Sequence, residues 1–152
     1  MAYNLDRFRS AHGESYETAL REIRSGRKQS HWMWYIFPQI QGLGRSAMAM
    51  HYEIQNAEEA LEYWNDPLLR SHMVEICGAL LKLNRPIIWI MGYTDHLKLR
   101  SSMTLFWLVT GDQLFKDVLD KFYHGKVDNY TKEKLSYHCM YFRSNSLPRF
   151  LS

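Results

Sequence analysis

The stretch Asp95-His-Leu-Lys-Leu-Arg-Ser-Ser-Met-Thr-Leu-Phe-Trp-Leu-Val-Thr110 decides the fold. Its first half carries one lysine and several hydroxyls, and from Met103 onward it is apolar on nearly every side. A helix that is hydrophobic all round is buried in a protein core. The sequence therefore predicts a central helix over residues 95–110, capped by Thr94 or Asp95, with the other elements packed around it.

Amphipathic segments on both sides of this stretch also read as helices. Asp66-Pro67 is an N-cap followed by proline, a strong helix-start signal, and Ser46 and Asn56 are further N-cap residues. Gly13 separates a first helix from a second over residues 15–25, in which Glu22 is assigned to the solvent face. Ser30 is expected to cap a helix from His31 to Ile36 or Phe37. Other predicted helices cover residues 47–54, 67–83, 113–124 and about 131–140, and the apolar run 87–91 is assigned to a short buried helix.

These segments predict an all-α chain. We expect a compact single domain of about eight helices over residues 3–138, with orthogonal or superhelical packing, followed by a C-terminal tail over 139–152. The length of 152 residues fits one domain, and the 46% hydrophobic content is that of a globular protein.

Charge and cysteine content narrow the classes of partner. The net charge of +3 is too small to predict nucleic-acid binding, but it favours an anionic ligand. The longest apolar stretch, Met103 to Val109, is too short to span a membrane, and no secretory signal follows Met1. Cys77 and Cys139 have no metal-ligand spacing, so we expect reduced thiols, a cytoplasmic location, no metal and no cofactor. The sequence does not predict an oligomeric state.

The first candidate group lies in a stretch with four consecutive bulky side chains. A lysine could neutralise an anion, a serine could hydrogen-bond to it, and indoles could stack on a flat ligand. A histidine placed at a helix N-terminus stays neutral and could act as acid or base. The alternative is a buried aromatic hub with a solvated basic edge. The residues are Lys28, Ser30, His31, Trp32 and Trp34.

The second candidate group is a glycine-rich loop that leads into a helix start. Bare N–H groups at such a start bind anions, and an arginine adds further donors. A plain tight turn is the alternative, since the pattern matches no known phosphate-binding fingerprint. The residues are Gln39, Gly42, Gly44, Arg45 and Ser46.

The third candidate group is the polar first half of the central helix. Buried polar groups need partners, so the hydroxyls could face a ligand, with Asp95 as the counter-ion of Lys98. Alternatively, Ser101 and Thr104 could bond back to carbonyls of their own helix. The residues are Asp95, Lys98, Arg100, Ser101, Ser102 and Thr104.

Several of these motifs resemble those of an uncharacterised family, domain of unknown function 1810. The resemblance covers about residues 3–125 and implies a compact all-α domain, without established catalytic residues. Members are often labelled calpastatin, but that type of inhibitor is disordered and repetitive, whereas this chain is aromatic-rich. The apolar run 86–91 departs from the family pattern, where a more polar lead-in is expected. The matching motifs are residues 4–8 (Asn-Leu-Asp-Arg-Phe), 26–28 (Gly-Arg-Lys), 30–34 (Ser-His-Trp-Met-Trp), 37–39 (Phe-Pro-Gln), 42–46 (Gly-Leu-Gly-Arg-Ser), 66–68 and 95–106.

The sequence supports three functional hypotheses. In the first, His31 and the tryptophans face Lys98 and Ser102, with Arg45 at the rim. They form a pocket for an anionic, partly aromatic small molecule such as a nucleotide or an ADP-ribose derivative, which His31 could help to hydrolyse. A looser similarity to an all-α family that hydrolyses ADP-ribose-type bonds suggests this ligand class. In the second, the aromatic and basic 26–46 surface binds a protein. In the third, these residues are architectural, with Lys98 and the hydroxyls satisfying loop carbonyls.

Overall fold

Nine α-helices lie within residues 3–141, the part of the chain that the computed structural model describes; side chains are described as far as residue 136. In chain order they are α1 (Asp6–Arg24), α2 (Met33–Ile36), α3 (Ala47–Tyr52), α4 (Ala57–Asn65), α5 (Pro67–Leu81), α6 (Ile87–Met91), α7 (Tyr93–Thr110), α8 (Gln113–Tyr123) and α9 (Asn129–Tyr141). This confirms the predicted compact all-α domain. Residues 142–152, most of the predicted tail, lie outside the described residues.

The central helix is α7. Leu99, Met103 and Phe106 are fully buried, and α7 packs against α4, α6, α8 and α9. The predicted central helix is therefore confirmed, although it begins two residues earlier, at Tyr93. Its N-cap is Gly92 and no side chain caps it, so the expected cap by Thr94 or Asp95 was wrong. In contrast, Ser46, Asn56 and Asp66 cap α3, α4 and α5 as expected.

The first helix is continuous, so the predicted break at Gly13 was wrong. The apolar face of α1 runs without interruption through Phe8, Tyr16, Leu20 and Ile23, all buried. A glycine in a helix interior costs about 1 kcal/mol relative to alanine. Burial of several large side chains on both sides of Gly13 outweighs that cost.

The glycine-rich loop and α3 together form one segment, residues 39–54, that projects from the core. Its two ends are joined where Gln41 N donates to Ile54 O and Ile54 N donates to Gln39 O, each at 2.8 Å. No residue of α3 itself is buried. The segment is therefore anchored at its base, close to the end of α2.

The apolar run before α7 forms the predicted short helix, α6. Ile87, Ile90 and Met91 are buried, but Ile88 and Trp89 are exposed. The prediction of a wholly buried helix was wrong because a five-residue helix can turn only one face to the core. In the described part of the chain, no helix combines the length and apolarity needed to cross a bilayer.

Candidate functional site

A buried carboxylate on α1 holds the segment that leads into α2. Glu22 Oε1 accepts hydrogen bonds from Gln29 N at 2.7 Å, Ser30 N at 2.9 Å and Trp32 Nε1 at 2.9 Å. Its second oxygen accepts the Ser30 hydroxyl. The solvent-face assignment of Glu22 was therefore wrong, and so was the expectation that Ser30 caps a helix. α2 begins only at Met33, with no side-chain cap.

The donors around Glu22 determine its ionisation. Burial by itself would raise the pKa of this carboxyl. The hydrogen bonds from Ser30, Gln29 and Trp32 stabilise the carboxylate and together lower its pKa to about 2. Glu22 is therefore a fixed negative charge on α1 that holds residues 28–32 in place.

The same segment is tied to α7 by a lysine–aspartate cluster, formed by Lys28, Asp95 and Lys98. Lys28 Nζ lies 2.8 Å from Asp95 Oδ2, and Lys98 Nζ lies 3.2 Å from Asp95 Oδ1. Lys28 Nζ also donates to Ser30 O at 2.5 Å. Burial alone would raise the pKa of the Asp95 carboxyl, but the bonds and charges of the two lysines lower it. Two stretches that the sequence analysis paired are thus in contact.

Tryptophans lie under both lysines of the cluster. Lys28 Nζ is 4.9 Å from the centre of the Trp32 ring, and Lys98 Nζ is 5.2 Å from that of Trp34. Trp32 is only 1% exposed, so it offers no free face for stacking and belongs to the core. Trp34 is half-buried. We call Lys28, Trp34, Asp95 and Lys98 the lysine–tryptophan face.

The hydroxyls of α7 take different roles. Ser101 donates to Leu97 O at 3.1 Å and Thr104 donates to Arg100 O at 2.8 Å, as the back-bonding alternative predicts. Ser102 is fully buried, and its hydroxyl has no hydrogen-bond partner in the described part of the protein. It lies one helical turn beyond Lys98, on the same helix.

The remaining predicted residues lie further out. His31 and Arg45 are exposed, and neither side chain forms a hydrogen bond or ion pair with the lysine–tryptophan face as described. Because α2 begins two residues after His31, His31 precedes the helix, and the predicted helix start at His31 was wrong. Gln39 and Trp34 border a cavity of only about 10 Å³.

One N–H group of the glycine loop, that of Gly42, is already bonded within the chain. Gly42 has a φ of +99°, a left-handed conformation that favours glycine. Its N–H donates to Glu53 Oε1 at 3.2 Å. At this position a carboxylate of the chain itself occupies the place that an anionic ligand was expected to take.

A histidine pair, made of the buried His12 and the half-buried His72, escaped the sequence analysis. His12 Nε2 lies 2.8 Å from Tyr35 O, and His12 Nδ1 lies 2.9 Å from His72 Nδ1. A carbonyl can only accept, so Nε2 carries the proton and Nδ1 accepts from the His72 ring. The available signal was spacing: His12 lies four residues from both Phe8 and Tyr16, on the apolar face of α1.

A basic cavity beside α6 also escaped it. The cavity measures about 370 Å³, and none of its lining residues is acidic. Lys28 N–H donates to Ile90 O at 2.7 Å, and Arg85 Nη1 donates to Gly26 O at 2.9 Å. These two bonds fix the cavity between the 26–28 loop and α6. Its lining residues are Arg27, Lys28, Arg85, Ile88, Trp89, Ile90, Met91 and Gly92.

The fold and the motifs described above match a known family. A family model described as "Protein of unknown function (DUF1810)" matches residues 2–135. The chain belongs to the DUF1810 family. It is also similar to a solved structure, the conserved hypothetical protein Rv1873 from Mycobacterium tuberculosis, with 41% sequence identity and a TM-score of 0.86. That match covers 88% of this chain and 97% of the other. No curated protein matches the chain.

Proposed function

We propose that this DUF1810 protein binds an anionic, partly aromatic small molecule, of the nucleotide or ADP-ribose type, at the lysine–tryptophan face. One observation supports this most strongly: Lys28 and Lys98 share the single carboxylate of Asp95, next to a half-buried indole. Two cations on one carboxylate leave a local positive charge that an anionic ligand would balance.

The two lysines differ in how freely they could meet a ligand. The Lys28 side chain is 7% exposed and also donates to Ser30 O, so it is committed to the fold. The Lys98 side chain is 31% exposed and lies over the Trp34 ring. Lys98 is therefore the residue that would contact the anionic group, while Trp34 would contact the ring of the ligand.

The buried hydroxyl of Ser102 supports the same location. A buried polar group without a partner is costly, and such groups in native proteins often mark a water or ligand position. Ser102 follows Lys98 by one turn of α7 and is fully buried, so a ligand group held by Lys98 would reach its hydroxyl through a bridging water or a local opening. Gln39, beside Trp34, and Arg45, in the exposed loop, would bind the outer part of the ligand.

A hydrolytic step would depend on His31. Asp95 is held by two lysines and its pKa is lowered, so it is a poor general base. His31 is exposed and belongs to the same segment as Lys28 and Trp34. We propose His31 as the acid or base if the bound ligand is cleaved.

The alternative of a protein-binding 26–46 surface loses its main support. That alternative needs exposed aromatic rings, but Trp32, Tyr35 and Phe37 are all buried. Trp34 alone among these neighbouring rings is partly exposed. A single half-buried indole favours a small ligand over a flat protein interface.

Thermal-shift measurements with ADP-ribose, ATP and inorganic pyrophosphate test the proposal. A ligand present at 100 times its Kd stabilises the folded state by about 2.7 kcal/mol, which raises Tm by several degrees. We expect ADP-ribose or ATP to raise the Tm of the wild type, and Lys98→Gln to abolish that shift. Lys126→Gln, which removes an equal charge from an exposed site, should keep it. Equal shifts in all three proteins would contradict the proposal, as would the absence of any shift in the wild type.

A further inference from the structure

Several large apolar side chains are exposed on α6 and in the first turns of α7. Trp89 and Tyr93 are 67% and 71% exposed, and Gly92, with a φ of +89°, separates the two helices between them. Exposed aromatic side chains grouped in one short segment point to an interaction surface. We call Ile88, Trp89, Tyr93 and Leu97 the apolar stripe.

Cations border one side of the apolar stripe. Arg27 and Arg85 line the basic cavity together with Ile88 and Trp89 of the stripe. Asp95, two residues after Tyr93, is already paired with two lysines. The surface therefore combines exposed tryptophan, tyrosine and arginine, the residue types that contribute most to binding at protein interfaces.

The fold holds the Arg85 guanidinium at the edge of the cavity beside Trp89. Arg85 lies against Gly26, where a Cβ would come within 2.8 Å of its Nη1. Gly26 has a φ of +92°, so glycine is favoured there for its backbone conformation as well. The guanidinium is thus placed before any partner arrives, which lowers the entropic cost of binding.

We propose that the apolar stripe and the basic cavity dock an acidic, apolar-bearing segment of another protein. An apolar side chain of the segment would enter the cavity against Trp89, and its Asp or Glu residues would face Arg27 and Arg85. A second copy of this chain fits less well, because a two-fold contact would bring the same arginines together. A bilayer fits less well because a side chain can fill the concave cavity and a flat surface cannot.

Peptide selection on the full-length protein tests this directly. A library of random linear peptides is panned on the wild type and counter-selected on Trp89→Ala. We expect the enriched peptides to carry an excess of Asp and Glu around a large apolar residue. Failure to enrich peptides above the level obtained on Trp89→Ala would overturn the proposal, and so would enrichment of peptides without excess negative charge.

Affinities of the enriched peptides, measured by fluorescence anisotropy, assign the contacts. We expect Trp89→Ala to weaken binding about 30-fold, Arg85→Gln to weaken it about tenfold, and added salt to weaken it further. Met50→Ala removes another exposed apolar side chain, and Arg21→Gln another exposed cation, so both should bind as the wild type does. Because Trp89 is mostly exposed, Trp89→Ala should keep the wild-type Tm.

If a second copy of this chain or a membrane bound this surface instead of a peptide segment, the measurements would differ. Concentration-dependent dimerisation that Trp89→Ala abolishes, seen by analytical ultracentrifugation, would assign the surface to a second copy. Co-sedimentation with phosphatidylserine vesicles that Trp89→Ala abolishes, without peptide binding, would assign it to a membrane. Either result would overturn the proposal. Since Lys98→Gln leaves this surface intact, the proposal stands or falls separately from ligand binding at the lysine–tryptophan face.

Discussion

Trp32 donates its indole N–H to Glu22 Oε1 at 2.9 Å, in the buried space between α1 and the segment before α2. This bond fixes the plane of the indole on which Lys28 Nζ lies, 4.9 Å from the ring centre. Lys28 in turn reaches Asp95 on α7. A carboxylate on the first helix therefore positions the lysine–tryptophan face without being part of it.

Substitution of Glu22 tests this supporting role. Glu22→Gln replaces one carboxylate oxygen by an NH2 group, which faces the N–H and O–H donors that bonded to that oxygen. It also removes the negative charge of a group that accepts four hydrogen bonds. We expect the free energy of unfolding to fall by about 2–3 kcal/mol and Tm to fall by about 5–10 °C in calorimetry.

Glu17→Gln provides the control for that substitution. Glu17 lies on the same helix but is exposed, so its replacement should leave Tm within about 1 °C of the wild type. If Glu22→Gln proved as stable as Glu17→Gln, the four hydrogen bonds would contribute nothing measurable, and the supporting role would be wrong.

The lysine–aspartate cluster makes a second prediction, which separates architecture from binding. Asp95→Asn leaves the buried Lys28 ammonium without its counter-charge, and we expect a loss of about 2–4 kcal/mol in denaturant unfolding. Lys98→Gln removes a more exposed cation and should cost less than about 1 kcal/mol.

An equal loss of stability in the two variants would support the architectural hypothesis. If Lys98→Gln destabilised the protein as much as Asp95→Asn, Lys98 would be a structural residue, and its proposed contact with a ligand would lose its basis. Chemical denaturation of both variants in the same buffer decides between these outcomes.

The elements that the sequence predicts well are those with strong local signals. Asp66-Pro67 starts α5, Ser46 and Asn56 cap their helices, and the all-round apolar character of 103–109 identifies α7 as central. Each of these signals acts within one helical turn or along one helix, so the sequence contains all the information needed. The sequence also predicted that residues 26–46 face the helix over 95–110, because unexplained polar residues occur in both. Lys28 and Trp34 make that contact, whereas the predicted places of His31 and Arg45 in it stay predictions.

The features that the sequence does not predict depend on contacts between distant segments. Glu22 looks like any solvent-facing glutamate until residues 29–32 fold over it and supply four donors. Trp89 looks like a core residue because nothing in its own segment shows that α6 is too short to bury both faces. Gly13 looks like a helix break because its local cost is visible, whereas the packing that outweighs it is not.

Two neighbouring serines on α7 provide a third prediction. Ser101→Ala and Ser102→Ala gain the same helix propensity, but only Ser101 loses a hydrogen bond, that to Leu97 O. We expect the Ser102→Ala protein to be more stable than the Ser101→Ala protein by about 1 kcal/mol in denaturant unfolding.

The ligand response of the two serine variants carries a separate expectation. If a ligand at Lys98 bonds to the Ser102 hydroxyl, Ser102→Ala should reduce the ligand-induced rise in Tm, while Ser101→Ala should keep it. A Ser102→Ala protein less stable than Ser101→Ala would show that the hydroxyl already has a partner in the free protein, such as an ordered water.

The His12–His72 pair predicts how stability depends on pH. Burial, against a raising effect of the Tyr35 carbonyl, together with the neighbouring His72 lowers the pKa of His12 from its ordinary 6.5 to about 4. Burial also lowers the pKa of His72. The unfolded chain therefore binds protons between pH 6.5 and 4 that the folded chain does not. The contribution of these histidines to the free energy of unfolding is fully present above pH 6.5 and is lost as the pH falls towards 4.

The size of the effect and its structural cause can both be measured. The difference between the two pKa values of His12 corresponds to about 3 kcal/mol at most. Protonation of His12 Nδ1 would place two N–H groups against each other at the 2.9 Å contact with His72, so the pair must separate or His72 must move its proton to Nε2. In urea unfolding between pH 7 and 4.5, we expect the wild type and the exposed-site control His51→Gln to lose stability in parallel. His12→Gln should be less stable at pH 7, and its free energy of unfolding should change less with pH over this range. If it changed in parallel with that of the wild type, another group would be responsible.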